Sequence, residues 1–262
     1  MLIIPPGWTI EKRATNTRER IQVYCRDSKG RAQYIYHPLW TALTSSLKFK
    51  KLVCFSRALK NISQKTRDTD DIDNLIKLMI STNIRVGSDC YAEDNETFGV
   101  CTLLTNHIKK GPGRGEVVLC FCGKSGHKHE VVLRQGPHAN FIKTKLRNAR
   151  NEGGKRLFPH GTAQRLRARF KEILGDDFNP KDIRTYKANI TLVKELRKLP
   201  GSNTKKELKT AIGRTAESLH HTTSVCKTNY LCPQLMELWL KTPSTIKKPG
   251  VNFYKIIKTL KV

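Results

Sequence analysis

The chain has 262 residues and carries 49 Lys and Arg against 22 Asp and Glu, a formal net charge of +27 with its eight histidines neutral. That length builds one large domain, or a small and a medium one, and the 38% hydrophobic content with three Trp, seven Tyr and nine Phe excludes a disordered chain. The excess of basic residues runs through the body of the chain, with nothing acidic after Glu237, which implies a polyanionic partner but selects no chemistry.

Taken in chain order, IQVYC (21–25) and AQYIYH (32–37) read as short strands joined by the polar turn Asp27-Ser28-Lys29-Gly30, with Pro38 ending the second. TALTSSLKFK (41–50) reads as a polar linker or the start of a helix. A boundary there gives a small basic β module over 1–45 and a larger domain over 46–262. Asp68, Asp70, Asp71 and Asp73 precede the helical run through Leu75, Leu78 and Met79, where carboxylates favour the positive end of the helix dipole. VVLCFC (117–122) and EVVLR (130–134) are β-rich and flank the loop Gly123–His129, so a hairpin interrupts the helical region; GPGRG (111–115) leads into it. The glycine-rich, basic NARNEGGKRLFPH (148–160) reads as a surface turn. TAQRLRARFKEIL (162–174) puts Leu166, Phe170, Ile173 and Leu174 on one face, and 185–199 and 205–220 repeat the helical period. The expected class is α+β: a small N-terminal antiparallel β domain followed by a mainly α domain carrying a β-hairpin.

Several chemistries drop out. Around Asp68–Asp73 the calcium-loop Gly and the closing Glu are missing. Gly123-Lys124-Ser125 lacks the glycine five residues earlier that a phosphate cradle needs, since Val118 stands there, so no nucleotide cofactor is expected. Of the eight cysteines only Cys120 and Cys122 lie close together, with no C-x-x-C and no histidine pair at zinc spacing; reduced, mostly buried thiols and no metal are expected. No stretch approaches the roughly 18 apolar residues of a membrane span. MLIIPPGW has no basic flank and is broken by Pro5-Pro6, so it does not read as a signal peptide and an intracellular protein is expected.

The segment His220 to Tyr230 ends a helical stretch, crosses a small polar loop and reaches a tyrosine. A phenol attacks a phosphodiester when cationic donors neutralise the charge growing on the phosphorus oxygens. Arg85, Lys124, Arg184 and His221 are the residues available for that task, although each taken alone also reads as a solvated charge or a helix cap.

Together with RDSKGRAQYIYHPLW (26–40), NIRVGSDCYAEDNETFGVCTLLTNHI (83–108), CFCGKSGHKHEV (120–131), NPKDIRTYKAN (179–189) and HTTSVCKTNYLCP (221–233), these residues give a sequence that resembles the small type IB DNA topoisomerases of the poxvirus and bacterial kind over nearly its whole length. The resemblance implies that Tyr230 is the nucleophile that forms a 3′-phosphotyrosyl link. Arg85, Arg184 and His221 would then hold the non-bridging oxygens, and Lys124, at the hairpin tip, would protonate the leaving 5′-oxygen with help from Lys181. Gln33, Tyr34 and Tyr36 correspond to major-groove contacts and Lys29 and Arg31 to phosphate contacts. It further implies a monomer that closes on double-stranded DNA, needs neither ATP nor metal, and works wherever that DNA is kept, in a viral factory or virion, a nucleus or a bacterial cytoplasm. A tyrosine recombinase shares this fold but usually has histidine where Lys181 stands. A non-catalytic DNA-binding protein would keep the fold without the chemistry.

Overall fold

The computed structural model describes residues 3–259 apart from Asn203, His221 and Asn252. It forms two compact units, one within residues 1–51 and the other within 52–261. The first is built on the strands β1 (Thr9–Arg13), β2 (Ile21–Arg26) and β3 (Ala32–Tyr36), an antiparallel meander in the order β1-β2-β3. β1 was not legible as a strand: all five of its residues are exposed, and its TIEKR sequence has no apolar alternation to betray it. The turn between β2 and β3 is closed by Asp27, whose carboxylate accepts hydrogen bonds from the backbone of Lys29 and Arg31 at 3.0 Å each.

A helix, α1 (Pro38–Lys60), follows at once, so of the two readings of residues 41–50, linker or helix start, the helical one holds. The junction expected at 45/46 falls inside this helix, and the compact units part at 51/52. Next come α2 (Ile62–Lys65), α3 (Asp71–Thr82) and α4 (Asp89–Asn95), then a second antiparallel meander of β4 (Ile108–Lys110), β5 (Val117–Cys122) and β6 (Lys128–Leu133), in that order. The expected hairpin is therefore two strands of a three-stranded sheet, because the three residues of β4 are too few to show a period. Helices α5 (Pro137–Asn151), α6 (Thr162–Leu174), α7 (Pro180–Arg197), α8 (Lys205–Ser218), α9 (Thr223–Asn229), α10 (Pro233–Lys241), α11 (Pro243–Lys247) and α12 (Phe253–Thr259) complete the described chain. No helix among the described residues is long and apolar enough to cross a membrane.

Two groups of buried side chains organise the larger unit. Leu75, Ile76 and Met79 of α3 pack with Leu119 of β5, Ile142 of α5 and Leu166 and Phe170 of α6. Beyond these, Leu192 and Leu196 of α7, Ala211 and Ile212 of α8, and Leu235 and Trp239 of α10 are fully or almost fully buried. Helix starts follow local chemistry. Asp70 accepts from the Asp73 amide at 2.9 Å, and Asn179 and Asp182 form a reciprocal cap ahead of Pro180.

The 148–160 segment is more than a surface turn. Its first residues finish α5, and Leu157 and Phe158 are buried. The Leu157 amide bonds Leu103 O at 2.9 Å and the Thr105 amide bonds Lys155 O at 2.8 Å. Arg156 makes an ion pair with Asp89, whose other oxygen accepts from the Gly161 amide at 3.0 Å.

Candidate active site

Tyr230 stands at the C-terminal end of α9, where its amide bonds Cys226 O at 3.0 Å. Only 8% of it is exposed. The backbone around it is clamped by Asn189 of α7, a fully buried side chain. Its Nδ2 donates to Tyr230 O and its Oδ1 accepts from the Cys232 amide, both at 2.8 Å. Pro233 then opens α10, which turns the chain away.

Arg184 lies one and a half turns before Asn189 on the same helix and is 4% exposed. Its Nη1 donates to Asn83 O and its Nη2 to Leu219 O, the latter at 2.6 Å. These carbonyls belong to two helix exits. Asn83 closes α3 in a left-handed conformation, φ 61°, with its amide on Met79 O, and Leu219 caps α8. One guanidinium therefore fixes where α3 releases the chain toward Arg85 and where α8 releases it toward His220.

Arg85 is placed by a close crossing of backbones. The Val100 amide bonds Arg85 O and the Cys101 amide bonds Val86 O, each at 2.9 Å. Glycine at 99 permits this, because a Cβ there would lie 2.4 Å from both Arg85 O and Gly87 N. The Arg85 and Arg184 side chains both reach the Tyr230 phenol.

The electrostatics follow from this crowding. Burial pushes the Tyr230 phenol up, but the charges of Arg85 and Arg184, the hydrogen bond from Arg85 and the charge of Lys181 outweigh it, so the phenol sits below its usual range. Burial and the neighbouring Arg85 bring the Arg184 guanidinium down to about 10, which leaves it charged at neutral pH. Beside them the Cys226 thiol is pushed up by burial to about 11 and stays protonated.

Of the residues singled out in the sequence, Tyr230, Arg85 and Arg184 are thus brought together, with Lys181, in the exposed first turn of α7, near enough for its charge to favour the phenolate. Lys124 is exposed in the short loop between β5 and β6. His221 lies outside the described residues. Its neighbour His220 is described, in a left-handed conformation with φ 52°, and its ring lies 4.4 Å from that of His129.

Two residues of this region carried no sequence signal. Asn189 is a lone polar residue inside a helix, and His129 lies on a strand with only 5% exposure. His129 stacks on Phe121, with ring centroids 4.8 Å apart and planes 3° apart. Burial, together with the nearby charges of His220, Arg184, Arg85 and His127, brings it down to about 4.

In the N-terminal unit the sheet separates the remaining residues. Tyr34 and Tyr36 are exposed on one face of β3, where Tyr24, Tyr34 and Tyr36 line up with successive centroids 5.2 and 6.4 Å apart. Gln33 points to the opposite face and donates to Asp27 Oδ2 at 3.0 Å. Arg31 pairs with the same carboxylate at 2.7 Å, and Lys29 is exposed in the turn. The eight cysteines are all free thiols, but only Cys25, Cys101, Cys226 and Cys232 are buried; Cys54 and Cys90 are exposed, so the expectation of mostly buried thiols holds for half of them.

Comparison with known proteins supplies the family. Residues 46–248 match the model of the eukaryotic DNA topoisomerase I catalytic core. A DNA topoisomerase 1B of Acanthamoeba polyphaga mimivirus is 31% identical over 267 residues, an alignment covering 92% of this chain and 79% of the relative. The DNA topoisomerase 1B of vaccinia virus, strain Copenhagen, is 29% identical across 81% of this chain and 70% of its own length. Rabbit fibroma virus has a DNA topoisomerase 1 that is 26% identical across 80% of this chain and 69% of its own. With these matches joined to a buried tyrosine facing two arginines on an α+β scaffold, the chain belongs to the type IB DNA topoisomerases.

Proposed function

We propose that this protein relaxes supercoiled duplex DNA by cutting one strand through Tyr230, letting the free end turn about the intact strand, and resealing it. The observation that supports Tyr230 most directly is that its phenol faces Arg85 and Arg184 and is biased by them toward the phenolate, the form that attacks phosphorus.

In the cleavage step the Tyr230 oxygen forms a bond to phosphorus and the bond from phosphorus to the 5′-oxygen breaks. The 5′-oxygen leaves with a proton supplied by Lys124, assisted by Lys181. Arg85 and Arg184 offer planar forks of donors to the non-bridging oxygens, where negative charge grows as phosphorus becomes five-coordinate. We assign His221 to the same oxygens. Resealing is the reverse reaction. One phosphoester replaces another throughout, so the bond energy is kept and no ATP or metal is required.

The N-terminal sheet takes the major groove, with Tyr34 and Tyr36 as the side chains already exposed for contact. Gln33 lies on the other face of β3, with one amide N–H on Asp27 and its second N–H and carbonyl oxygen left to read a base. Lys29 and Arg31 contact phosphates. The protein acts as a monomer that clamps the duplex, in whichever compartment holds its DNA. Recombination is the weaker reading, because Lys181 occupies the place where recombinases usually carry histidine.

Trapping tests the assignment. A duplex nicked so that the 5′-hydroxyl fragment dissociates after cleavage should leave wild-type protein covalently joined to the 3′ end. Tyr230→Phe should bind the same duplex and form no adduct; an adduct of unchanged yield would remove Tyr230 from the role.

A further inference from the structure

We propose that His129 is a positioning residue, its flat ring holding the end of the β5–β6 hairpin so that Lys124 is presented at the Arg85–Arg184 centre. The proposal rests on the reading above in which Lys124 delivers the proton to the leaving oxygen.

The hairpin end cannot hold itself in place. Residues 124–128 are exposed, and the turn runs through two successive left-handed residues, Ser125 at φ 65° and Gly126 at φ 76°. Its local closure is the Gly123 amide on His127 O at 2.7 Å and the Gly126 amide on Gly123 O at 3.1 Å. These bonds set the shape of the turn, and the Phe98 amide on Cys122 O at 2.8 Å holds the strand just before it, but none of them reaches beyond Gly123 to Lys124 itself. A lysine on such a loop keeps its full rotamer freedom, and misplacement of a catalytic group by about 1 Å costs on the order of 10²-fold in rate.

The support for Gly123 and the loop it opens comes from the side chain beneath. His129 pairs across the strands with Phe121, and the two rings lie flat against each other. The edge of the imidazole fills the space where a side chain at position 123 would sit. A Cβ on Gly123 would lie 2.5 Å from His129 Nε2 and 2.6 Å from Cδ2, so the backbone that leads into Lys124 rests directly on this ring. The ring also meets His220, one residue after the carbonyl that Arg184 grips. His129 therefore touches both the root of the hairpin loop and the turn that follows α8. Its neutrality suits the place: His220, Arg184, Arg85 and His127 all face it, and a proton on the ring would add a like charge among them.

The test compares His129→Ala with Lys124→Ala in single-turnover cleavage of two duplexes, one with an ordinary phosphodiester and one whose leaving 5′-oxygen is replaced by sulfur, which departs without a proton. His129→Ala should cleave the ordinary duplex on the order of 10²-fold more slowly and the sulfur duplex at the wild-type rate. The double variant Lys124→Ala/His129→Ala should be no slower than Lys124→Ala, because a misplaced lysine cannot be missed twice. His129→Phe, which restores a flat ring, should recover the ordinary substrate. Gly123→Ala, which drives a methyl into the ring, should reproduce the split. If His129→Ala does not fold, His129→Leu, close in volume but without a flat ring, is read in the same way. Equal slowing of both substrates by the His129 variant, while Lys124→Ala spares the sulfur duplex, overturns the positioning role. Failure of Lys124→Ala itself to spare the sulfur duplex instead overturns the general-acid reading on which it rests.

Discussion

The side-chain amide of Asn189 holds the backbone at Tyr230 from 41 residues away, donating to its carbonyl at 2.8 Å while accepting from the Cys232 amide. A third bond, to Thr185 O at 2.8 Å, ties that amide back to the helix that carries Arg184. The phenol and the guanidinium that faces it are thus referenced to one rigid rod, α7, and not to the short helix that precedes the tyrosine.

Asn189→Ala should therefore act on both folding and chemistry. It leaves the Tyr230 carbonyl and the Cys232 amide in the interior without the partner each has now, which costs about 1–3 kcal/mol for such a group. A lower urea midpoint together with slower adduct formation is the expected result. Slower chemistry with an unchanged midpoint would contradict the clamp.

The two arginines should separate by the same measurements. Arg85→Ala removes one of the two guanidiniums that face the phenol, so cleavage should fall on the order of 10²–10³-fold. Arg184→Ala should slow cleavage and also lower the urea midpoint more than Arg85→Ala does, since Arg184 joins the exits of α3 and α8 through Asn83 O and Leu219 O. Equal midpoints for the two variants would show that those two bonds carry no stability.

Acid should weaken the fold. An unfolded histidine titrates near 6.5, whereas His129 is held at about 4 by burial, and burial also lowers His107, His138 and His220. Between about pH 6.5 and 4 the unfolded chain binds protons that the folded chain refuses, so stability is lost as pH falls through that window. For His129 alone the loss is on the order of 3 kcal/mol. Asp73 and Asp89 act in the same direction. Burial opposes their ionisation, but the bonds from Arg169 and the Arg67 amide, and from the Gly161 amide and Arg156, keep them below the usual carboxylate range, so their contribution is lost at still lower pH. Urea midpoints at pH 7 and pH 4.5 check this, and equal values would contradict it.

Much of this arrangement was legible in the sequence, and what was hidden had a physical reason. Periodic apolar faces announced α3, α6, α7 and α8, and β-rich runs announced β2, β3, β5 and β6. α1 was legible only as one of two readings: the polar residues of TALTSSLKFK fit a linker as well as a helix, although Leu39, Leu43 and Leu47 recur at helical spacing, and those three leucines are exposed. Tyr230 and the arginines stood out through motifs, yet motifs do not show that Asn189 and His129 support them. A single buried polar residue in a helix or strand leaves no periodic trace. The split of Gln33 from Tyr34 and Tyr36 was, by contrast, available from the two-residue alternation of β3 alone.

Salt should tune turnover in both directions. A protein with a net charge of +27 that holds DNA through phosphates releases slowly at low salt and fails to bind at high salt. Plasmid relaxation should pass through a maximum as salt rises, and a flat response would contradict binding through phosphates.

The central claim is that Tyr230 breaks and reseals one DNA strand without ATP or metal. Supercoiled plasmid incubated in EDTA without ATP, with wild type and Tyr230→Phe side by side, tests it most directly. Relaxation by the wild type alone is the predicted result. A gel shift by both proteins with relaxation by neither would contradict it and leave a DNA-binding protein that keeps the fold without the reaction.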